Sequence, residues 1–207
     1  MKQEIANVSG VLLAAGGSTR MGGDKRFLPF RGLPLLQHAI NTARGSLLRE
    51  VVVVTDTDLS GRPDLDLSGC RVAVDPAAAR GQAEALNIGL RAADGADGCM
   101  VLMADQPLLR TATIDHLIWA FSQHPDFWIV PVIEDMQGDP VTVPAAWLPR
   151  LRELEGDAPA RTLLSARGLS LRLVKIDHPG PFIDIDTEGQ YRLLLRRHEA
   201  RGNRRAA

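Results

Sequence analysis

The 207-residue sequence lacks several features that would assign it to a class of protein at once. It has only two cysteines, aromatic residues make up 4% of it, and 24 Lys and Arg residues against 25 Asp and Glu residues leave a net charge of −1. So few cysteines argue against a disulfide-stapled fold, and the near-zero charge removes the long-range attraction that nucleic-acid or anionic-membrane binding needs. We therefore expect no nucleic acid and no membrane as partners, and any phosphate chemistry must depend on a local site.

Long apolar segments and metal-binding spacings are missing as well. No apolar run approaches the roughly 18 residues of a membrane span, and the first ten residues resemble neither a secretory signal nor a transit peptide. Cys70 and Cys99 each border an apolar segment, which favours reduced, structural thiols, and the histidines show no transition-metal spacing. These features predict a cytoplasmic protein with a single domain, 1–207, comprising a core at about 8–195 and a flexible basic tail at 196–207.

Short apolar runs alternate with segments of helical periodicity. The runs predict strands at 8–14, 50–55, 70–74, 98–104 and 126–132, and the periodic segments predict helices at 33–47, 81–93 and 111–124. Four of the runs show little polar alternation, as expected for strands that are covered on both faces. This pattern predicts an α/β fold with a doubly wound, mostly parallel sheet, followed after residue 132 by a small C-terminal β/α elaboration.

A glycine-rich loop follows the first predicted strand. Its small residues allow close approach of the backbone to a ligand, consecutive N–H groups can cradle phosphate oxygens, and Arg20 and Lys25 add positive charge that suits a triphosphate. The spacing fits neither a Walker A loop nor the dinucleotide fingerprint G-x-G-x-x-G. An ordinary strand-to-helix turn with solvated Arg and Lys is the alternative. The predicted nucleotide-binding residues of this loop are Leu13, Ala14, Ala15, Gly16, Gly17, Ser18, Arg20, Met21, Gly22 and Lys25.

Two acidic segments are candidates for holding a metal ion beside such a triphosphate. Asp105 follows the apolar run 99–104, so it lies where a buried strand ends at the carboxyl edge of the sheet; a turn-forming Asp is the alternative. Asp184 and Asp186 alternate along a short extended segment, so that one of them could ligate a metal. The competing explanation is that Asp186 or Thr187 caps the last helix.

The loop Leu13–Lys25 resembles the signature L-A-[AG]-G-x-S-x-R-M-G-x-x-K of the nucleotidyltransferase group that includes the molybdenum cofactor cytidylyl- and guanylyltransferases. The resemblance extends from about residue 8 to about 195 and implies the Rossmann-like nucleotidyltransferase fold of that group. It also implies that Arg20 and Lys25 contact the phosphates of the nucleotide and act with Asp105 in catalysis. The motifs D-Q-P and D-I-D-T imply Mg²⁺ binding at Asp105 and Asp186.

Further details of the sequence bear on which nucleotide is used. Ala15, and the segments 138–141, 154–164 and 184–187, are similar to the cytidylyl branch, in which a methyl group at Ala15 narrows the base pocket toward a pyrimidine. Asp24 is more typical of the guanylyl branch, Asp139 replaces the usual His or Asn, and Glu84 occupies a stretch that is commonly small or hydroxylated. Asp75, Gly81 and Gln82 complete the predicted nucleotide-binding set, with a plain turn as the alternative for Asp75.

The resemblance leads to one main hypothesis. It implies an enzyme that transfers CMP from CTP to the terminal phosphate of a molybdopterin cofactor and releases pyrophosphate, with Mg²⁺ as cofactor and a molybdoenzyme or its maturation chaperone as a further partner. The alternatives are guanylyl transfer from GTP to the same cofactor, nucleotidyl transfer to another phosphorylated acceptor, and a non-catalytic chaperone module that binds nucleotide or cofactor.

Overall fold

The apolar runs form adjacent strands of one mixed sheet in the computed structural model, which describes residues 4–16, 23–93 and 95–203. Within these ranges the strands are β1 (Val8–Leu13), β2 (Pro29–Phe30), β3 (Leu33–Pro34), β4 (Glu50–Thr55), β5 (Arg71–Val74), β6 (Gly98–Met103), β7 (Trp128–Ile133), β8 (Met136–Gln137), β9 (Val141–Pro144) and β10 (Leu171–Lys175). The sheet has the order β10-β7-β9-β6-β1-β4-β5, with β8 paired to β7, while β2 and β3 form a separate hairpin.

The sheet is mostly parallel, as the sequence predicts. β1 pairs in parallel with both β4 and β6, β4 with β5, and β10 with β7, whereas β9 runs antiparallel between β6 and β7. The central strand β1 is buried along its whole length, since helices cover both of its faces. β5 is an edge strand and remains partly exposed.

Helices pack on both faces of the sheet. The described ranges contain α1 (Leu35–Arg44), α2 (Gln82–Ala92), α3 (Thr111–Gln123), α4 (Leu148–Leu151) and α5 (Glu188–Asn203). α1 and α3 pack against the face that carries Leu12, whereas α2 packs against the opposite face, which carries Val11. Adjacent residues of β1 thus belong to two hydrophobic cores, one on each face of the sheet. The predicted doubly wound α/β fold is confirmed.

The first part of the C-terminal elaboration contains little α-helix. Between β9 and α5 the structure has the single turn α4 and 3-10 helices at Ala145–Trp147, Ala160–Ser165 and Gly180–Phe182. Conversely, α5 extends to Asn203, so that residues 196–203 of the predicted tail lie in a helix. α5 packs through Leu194 against Phe30 of the β2–β3 hairpin. In the described ranges no helix is long and apolar enough to cross a membrane, and Cys70 and Cys99 are free thiols.

A glycine in the middle of α2 sets how closely this helix approaches the sheet. A Cβ atom placed on Gly89 would lie 2.3 Å from Cγ1 of Val11 and 2.9 Å from Cγ2 of Val54. Both valines are fully buried in β1 and β4, so neither can move aside freely. The absence of a side chain at this helical position therefore lets α2 lie directly on the two central strands.

We expect Gly89→Ala to lower the free energy of unfolding by about 1–3 kcal/mol, because the added methyl group overpacks this contact. Alanine is otherwise favoured over glycine inside a helix by about 1 kcal/mol. The matched control is Gly189→Ala in α5, whose new methyl group would meet only Oγ1 of Thr187, at 3.9 Å, and which should be neutral or stabilising. Urea unfolding of both variants measures the difference, and a Gly89→Ala protein as stable as the control would contradict the proposed overpacking.

Candidate active site

A cleft of about 360 Å³ opens at the carboxyl ends of β1 and β6. This edge is where open α/β sheets bind their ligands. The loop after β1 and the first turn of α2 form its walls, and small residues dominate both of them. The lining residues are Leu13, Ala14, Ala15, Gly16, Lys25, Arg26, Ala78, Ala79, Gly81, Gln82, Ala85, Met103, Ala104, Asp105, Asp157 and Asp186.

Lys25 lies between the two carboxylates that the sequence analysis selected as metal ligands. Its Nζ donates to Oδ2 of Asp105 at 2.6 Å and to Oδ1 of Asp186 at 2.8 Å. Asp105 comes from the end of β6, Asp186 from the segment before α5, and Lys25 from a 3-10 turn after the glycine-rich loop. Three distant parts of the chain thus bring opposite charges together in the cleft.

The three charged groups differ in exposure. The side chain of Asp105 is 12% exposed and that of Lys25 19%, whereas that of Asp186 is 44% exposed. Burial lowers the pKa of Lys25, but Asp105 and Asp186 outweigh this effect, so its pKa is raised and it stays an ammonium ion. Burial raises the pKa of Asp105, which Lys25 opposes and the nearby carboxylates of Asp184 and Asp186 reinforce.

One oxygen of Asp105 is left without a partner. Its Oδ1 is buried and accepts no hydrogen bond from the residues that the structure describes. A buried carboxylate oxygen without a donor is costly, and a divalent cation is one group that satisfies it. The described part of the chain holds no group of three acidic, histidine or cysteine side chains around one point. It is the buried, unpaired Oδ1 of Asp105, with the carboxylate of Asp186 on the same ammonium group, that fits such a cation.

The hydrogen bonds at 184–187 show which residue caps the last helix. Oε1 of Gln190 accepts from the backbone N–H of Thr187 at 2.8 Å, and Oγ1 of Thr187 accepts from the N–H of Gln190 at 3.3 Å. This reciprocal pair is a capping box, so Thr187 begins α5 and leaves the carboxylate of Asp186 for Lys25. Asp184 accepts from Nε2 of Gln106 at 2.8 Å.

Arg26 is a structural residue that the sequence analysis missed. Its guanidinium, in a side chain only 5% exposed, donates to Oδ1 of Asp56 at 2.6 Å, to the carbonyl oxygen of Ala14 at 2.6 Å and, through Nε, to Oδ1 of Asp24 at 2.8 Å. It therefore ties the loop after β1 to the end of β4. The sequence offers no local signal for this role, because Asp56 lies thirty positions away.

The structure brings six of the other twelve predicted nucleotide-binding residues together in the cleft. Leu13 to Gly16, Gly81 and Gln82 line it, and Nε2 of Gln82 contacts Sδ of Met103 at 3.3 Å. Gly17, Ser18, Arg20, Met21 and Gly22 lie outside the described residues.

Asp75, Glu84 and Asp139 are not among the lining residues of the cleft. The carboxylate of Asp75 accepts from the N–H of Ala77 at 2.8 Å and caps the 3-10 helix Pro76–Arg80, which is the turn role that the sequence left open. Glu84 lies in the first turn of α2, where no side chain caps the helix. Burial raises the pKa of Asp139 to about 6, although Arg161 lies 3.5 Å away and opposes this effect.

The sheet is doubly wound, and its carboxyl edge carries a small-residue loop, a lysine and two convergent carboxylates. Together these features indicate a nucleotidyltransferase. Residues 10–172 match the family of MobA-like NTP transferase domains, and the chain belongs to that family. The family resemblance and the Rossmann-like nucleotidyltransferase fold predicted from the sequence are thereby confirmed.

Relatives and solved structures agree with this assignment. The purine catabolism protein PucB of Bacillus subtilis is 32% identical in an alignment over 201 residues that covers 90% of this chain and 95% of PucB. Nicotine blue oxidoreductase of Paenarthrobacter nicotinovorans is 29% identical, over 92% of this chain and 98% of its own. Rv0371c of Mycobacterium tuberculosis superposes with a TM-score of 0.82 at 27% identity, over 93% of this chain and 100% of its own. The manganese complex of Rv0371c superposes with a TM-score of 0.78 at 26% identity, and the match covers 92% of this chain and 98% of the Rv0371c chain.

We expect Arg26→Ala to lower the free energy of unfolding by about 3 kcal/mol, because it leaves the carboxylates of Asp24 and Asp56 without their cation. Asp24 is partly exposed, so water recovers some of the loss. Arg172→Ala is the control: Arg172 is exposed on β10, and its loss should change stability by no more than about 0.5 kcal/mol. Urea unfolding measures both variants. Equal effects in the two would show that the buried arginine does not anchor the loop.

Proposed function

We propose that this nucleotidyltransferase transfers CMP from CTP to the terminal phosphate of a molybdopterin cofactor and releases pyrophosphate. The observation that carries the proposal is the convergence of Lys25, Asp105 and Asp186 on one point of a cleft whose walls are made of small residues. Cationic charge and carboxylates that can bind a metal ion would suit a triphosphate at this point. In the same proposal the chain acts as one domain in the cytoplasm.

The reaction needs alignment and charge stabilisation rather than a protein nucleophile. A phosphomonoester is already an anionic nucleophile near neutral pH, so its oxygen can attack the α-phosphorus of the nucleotide directly, displacing pyrophosphate. Lys25 would hold the phosphates, since an ammonium group has three N–H donors and the two carboxylates engage two of them. By resemblance, Arg20 and the backbone N–H groups of the glycine-rich loop assist it.

A divalent metal ion, Mg²⁺ in our proposal, would be held by Asp105 and Asp186. Bound there, it would neutralise the charge that develops on the phosphate oxygens during transfer. The unpaired, buried Oδ1 of Asp105 supports such an ion. The manganese complex of the structural neighbour Rv0371c also favours dependence on a divalent metal.

CTP is favoured by the shape of the base end of the cleft. Ala15 contributes a methyl group where a second glycine would leave more room, and Ala78, Ala79, Gly81 and Gln82 also line the cleft. Asp75 contributes through its cap, which orders the segment 76–80, rather than by lining the cleft. GTP stays the alternative donor, because Asp24 follows the guanylyl pattern.

The acceptor is proposed from the family resemblance. The names of the relatives, a purine catabolism protein and an oxidoreductase, point to different processes and do not fix a common acceptor. We propose a pterin that bears a terminal phosphate, with the product passing to a molybdoenzyme or its maturation chaperone. Asp139 and Arg161 form an ion pair and are not among the lining residues of the cleft. We propose them as candidates for binding the acceptor.

The deciding experiment measures pyrophosphate release with CTP, GTP, ATP and UTP, each with molybdopterin as acceptor and with Mg²⁺ present or removed by chelation. We expect turnover with CTP that needs the metal. Turnover with GTP alone would replace the cytidylyl assignment by the guanylyl one. Tight nucleotide binding without pyrophosphate release from any of the four would favour the non-catalytic chaperone module instead.

Lys25→Ala should lower pyrophosphate release by about 100-fold or more, because it removes the cation that stabilises charge on the triphosphate. The control is Lys175→Ala, which removes an exposed lysine from β10 and should leave turnover unchanged. Circular dichroism and urea unfolding confirm that the two proteins are comparably folded. Unchanged turnover in a folded Lys25→Ala protein would overturn the assignment of Lys25 to the triphosphate.

A further inference from the structure

Asp157, which the sequence analysis did not single out, contributes a carboxylate to the lining of the cleft. Its side chain is exposed, and it forms no ion pair and no hydrogen bond with any residue of the described ranges. The other two carboxylates of the cleft, those of Asp105 and Asp186, share the ammonium group of Lys25. Among the described residues, Asp157 is therefore a negative charge without a partner, in a cleft that we propose to bind a polyanion.

The backbone holds Asp157 in this place. The carbonyl oxygen of Gly156 accepts from the N–H of Ala83, in the first turn of α2, at 3.0 Å. A Cβ atom on Gly81 would lie 2.3 Å from that carbonyl oxygen and 3.0 Å from Oδ1 of Asp157, so only glycine permits the contact. Gly81 also has a φ of +154°, which side-chain-bearing residues rarely adopt.

The residues on either side of Asp157 are anchored in the core that lies beneath α2. Leu154 packs against this core before it, and the fully enclosed Ala160 and the partly buried Leu163 pack there after it. The segment 154–163 is therefore held in the core at both ends, while Asp157 between them lines the cleft. The backbone that carries the carboxylate of Asp157 therefore has little freedom to move away when a ligand enters.

The charge of Asp157 decides which half of a nucleotide it can face. Beside the triphosphate it would repel the ligand. In the proposed function Lys25, which contacts Asp105 and Asp186, marks the phosphate end, whereas Asp157 lies beside Gly81 at the start of α2. The nucleoside half is uncharged and carries O–H and N–H donors on its ribose and base. An ionised carboxylate accepts such hydrogen bonds strongly.

We propose that Asp157 is a specificity-determining residue that accepts a hydrogen bond from the nucleoside half of the donor nucleotide. The donor is a ribose hydroxyl group or an exocyclic amino group of the base. The proposal rests on the proposed function in one respect, that a nucleoside triphosphate occupies the cleft. A purely structural role, in which the carboxylate only offsets the positive end of α2, is the competing explanation.

The test measures dissociation constants by titration calorimetry on the full chain, in Mg²⁺-containing buffer and without an acceptor. The proteins are wild type, Asp157→Ala and the control Glu155→Ala, which removes an exposed carboxylate two positions away that does not line the cleft. The ligands are CTP, UTP, GTP, ATP, the 2′-deoxy form of the tightest of them, and pyrophosphate. Urea unfolding of each variant reports stability.

For the nucleotide that binds tightest, we expect Asp157→Ala to raise the dissociation constant at least tenfold, with pyrophosphate binding unchanged and Glu155→Ala like wild type. If the ribose is the partner, the deoxy form loses its sensitivity to the substitution. If the amino group is the partner, CTP is weakened and UTP is not.

Three results would each overturn the proposal: unchanged or tighter nucleotide binding in Asp157→Ala, an equal change for nucleotide and pyrophosphate, or a loss of stability with binding intact. Failure of the proposed function is visible separately. A wild-type protein that binds nucleotide but releases no pyrophosphate with any acceptor tested would refute the transfer reaction and leave the role of Asp157 standing.

Discussion

The site depends on one ammonium group shared by two carboxylates. Asp105 and Asp186 would repel each other across the cleft if Lys25 did not lie between them, 2.6 Å from one and 2.8 Å from the other. Holding them together costs free energy, which other contacts of the fold must offset. The N–H of Ile185 donates to the carbonyl oxygen of Asp105 at 3.0 Å, and Thr187 starts α5 immediately after Asp186. A backbone hydrogen bond thus holds the C-terminal segment at the end of β6. This contact brings the carboxylate of Asp186 close to that of Asp105.

Two consecutive cations serve different purposes in this arrangement. Both line the cleft, but Lys25 stays 19% exposed, whereas Arg26 is only 5% exposed and pairs with Asp24 and Asp56. Arginine suits the buried position because its planar fork can satisfy several acceptors at once, while the compact lysine can follow phosphate oxygens. The net charge of −1 therefore reflects paired local charges, and it does not indicate a lack of electrostatic function.

Local patterns in the sequence were sufficient to predict the fold and to select Lys25, Asp105 and Asp186, which the structure brings together. Apolar runs predicted the strands, and the position of Asp105 at the end of one run placed it at the functional edge. The choice at Asp186 stayed open because alternation and capping spacing coexist in one short segment. Arg26 and Asp157 were missed for another reason: the partner Asp56 is thirty positions from Arg26, and Gly81 is far from Asp157 along the chain. Such contacts depend on topology, and no short sequence window contains them.

The small residues of the cleft explain how a common fold can be adapted to a particular nucleotide. Backbone atoms form much of the walls at Gly16 and Gly81, so few side chains there can distinguish one base from another. In the function that we propose, discrimination would come from two exceptions, the methyl group of Ala15 and the carboxylate of Asp157. Both lie on segments whose backbone is held by a hydrogen bond, from Arg26 to the carbonyl oxygen of Ala14 and from the N–H of Ala83 to that of Gly156. On this proposal, Lys25 marks a phosphate end of the cleft, and single substitutions at the nucleoside end would change specificity while the charges around Lys25 stay in place.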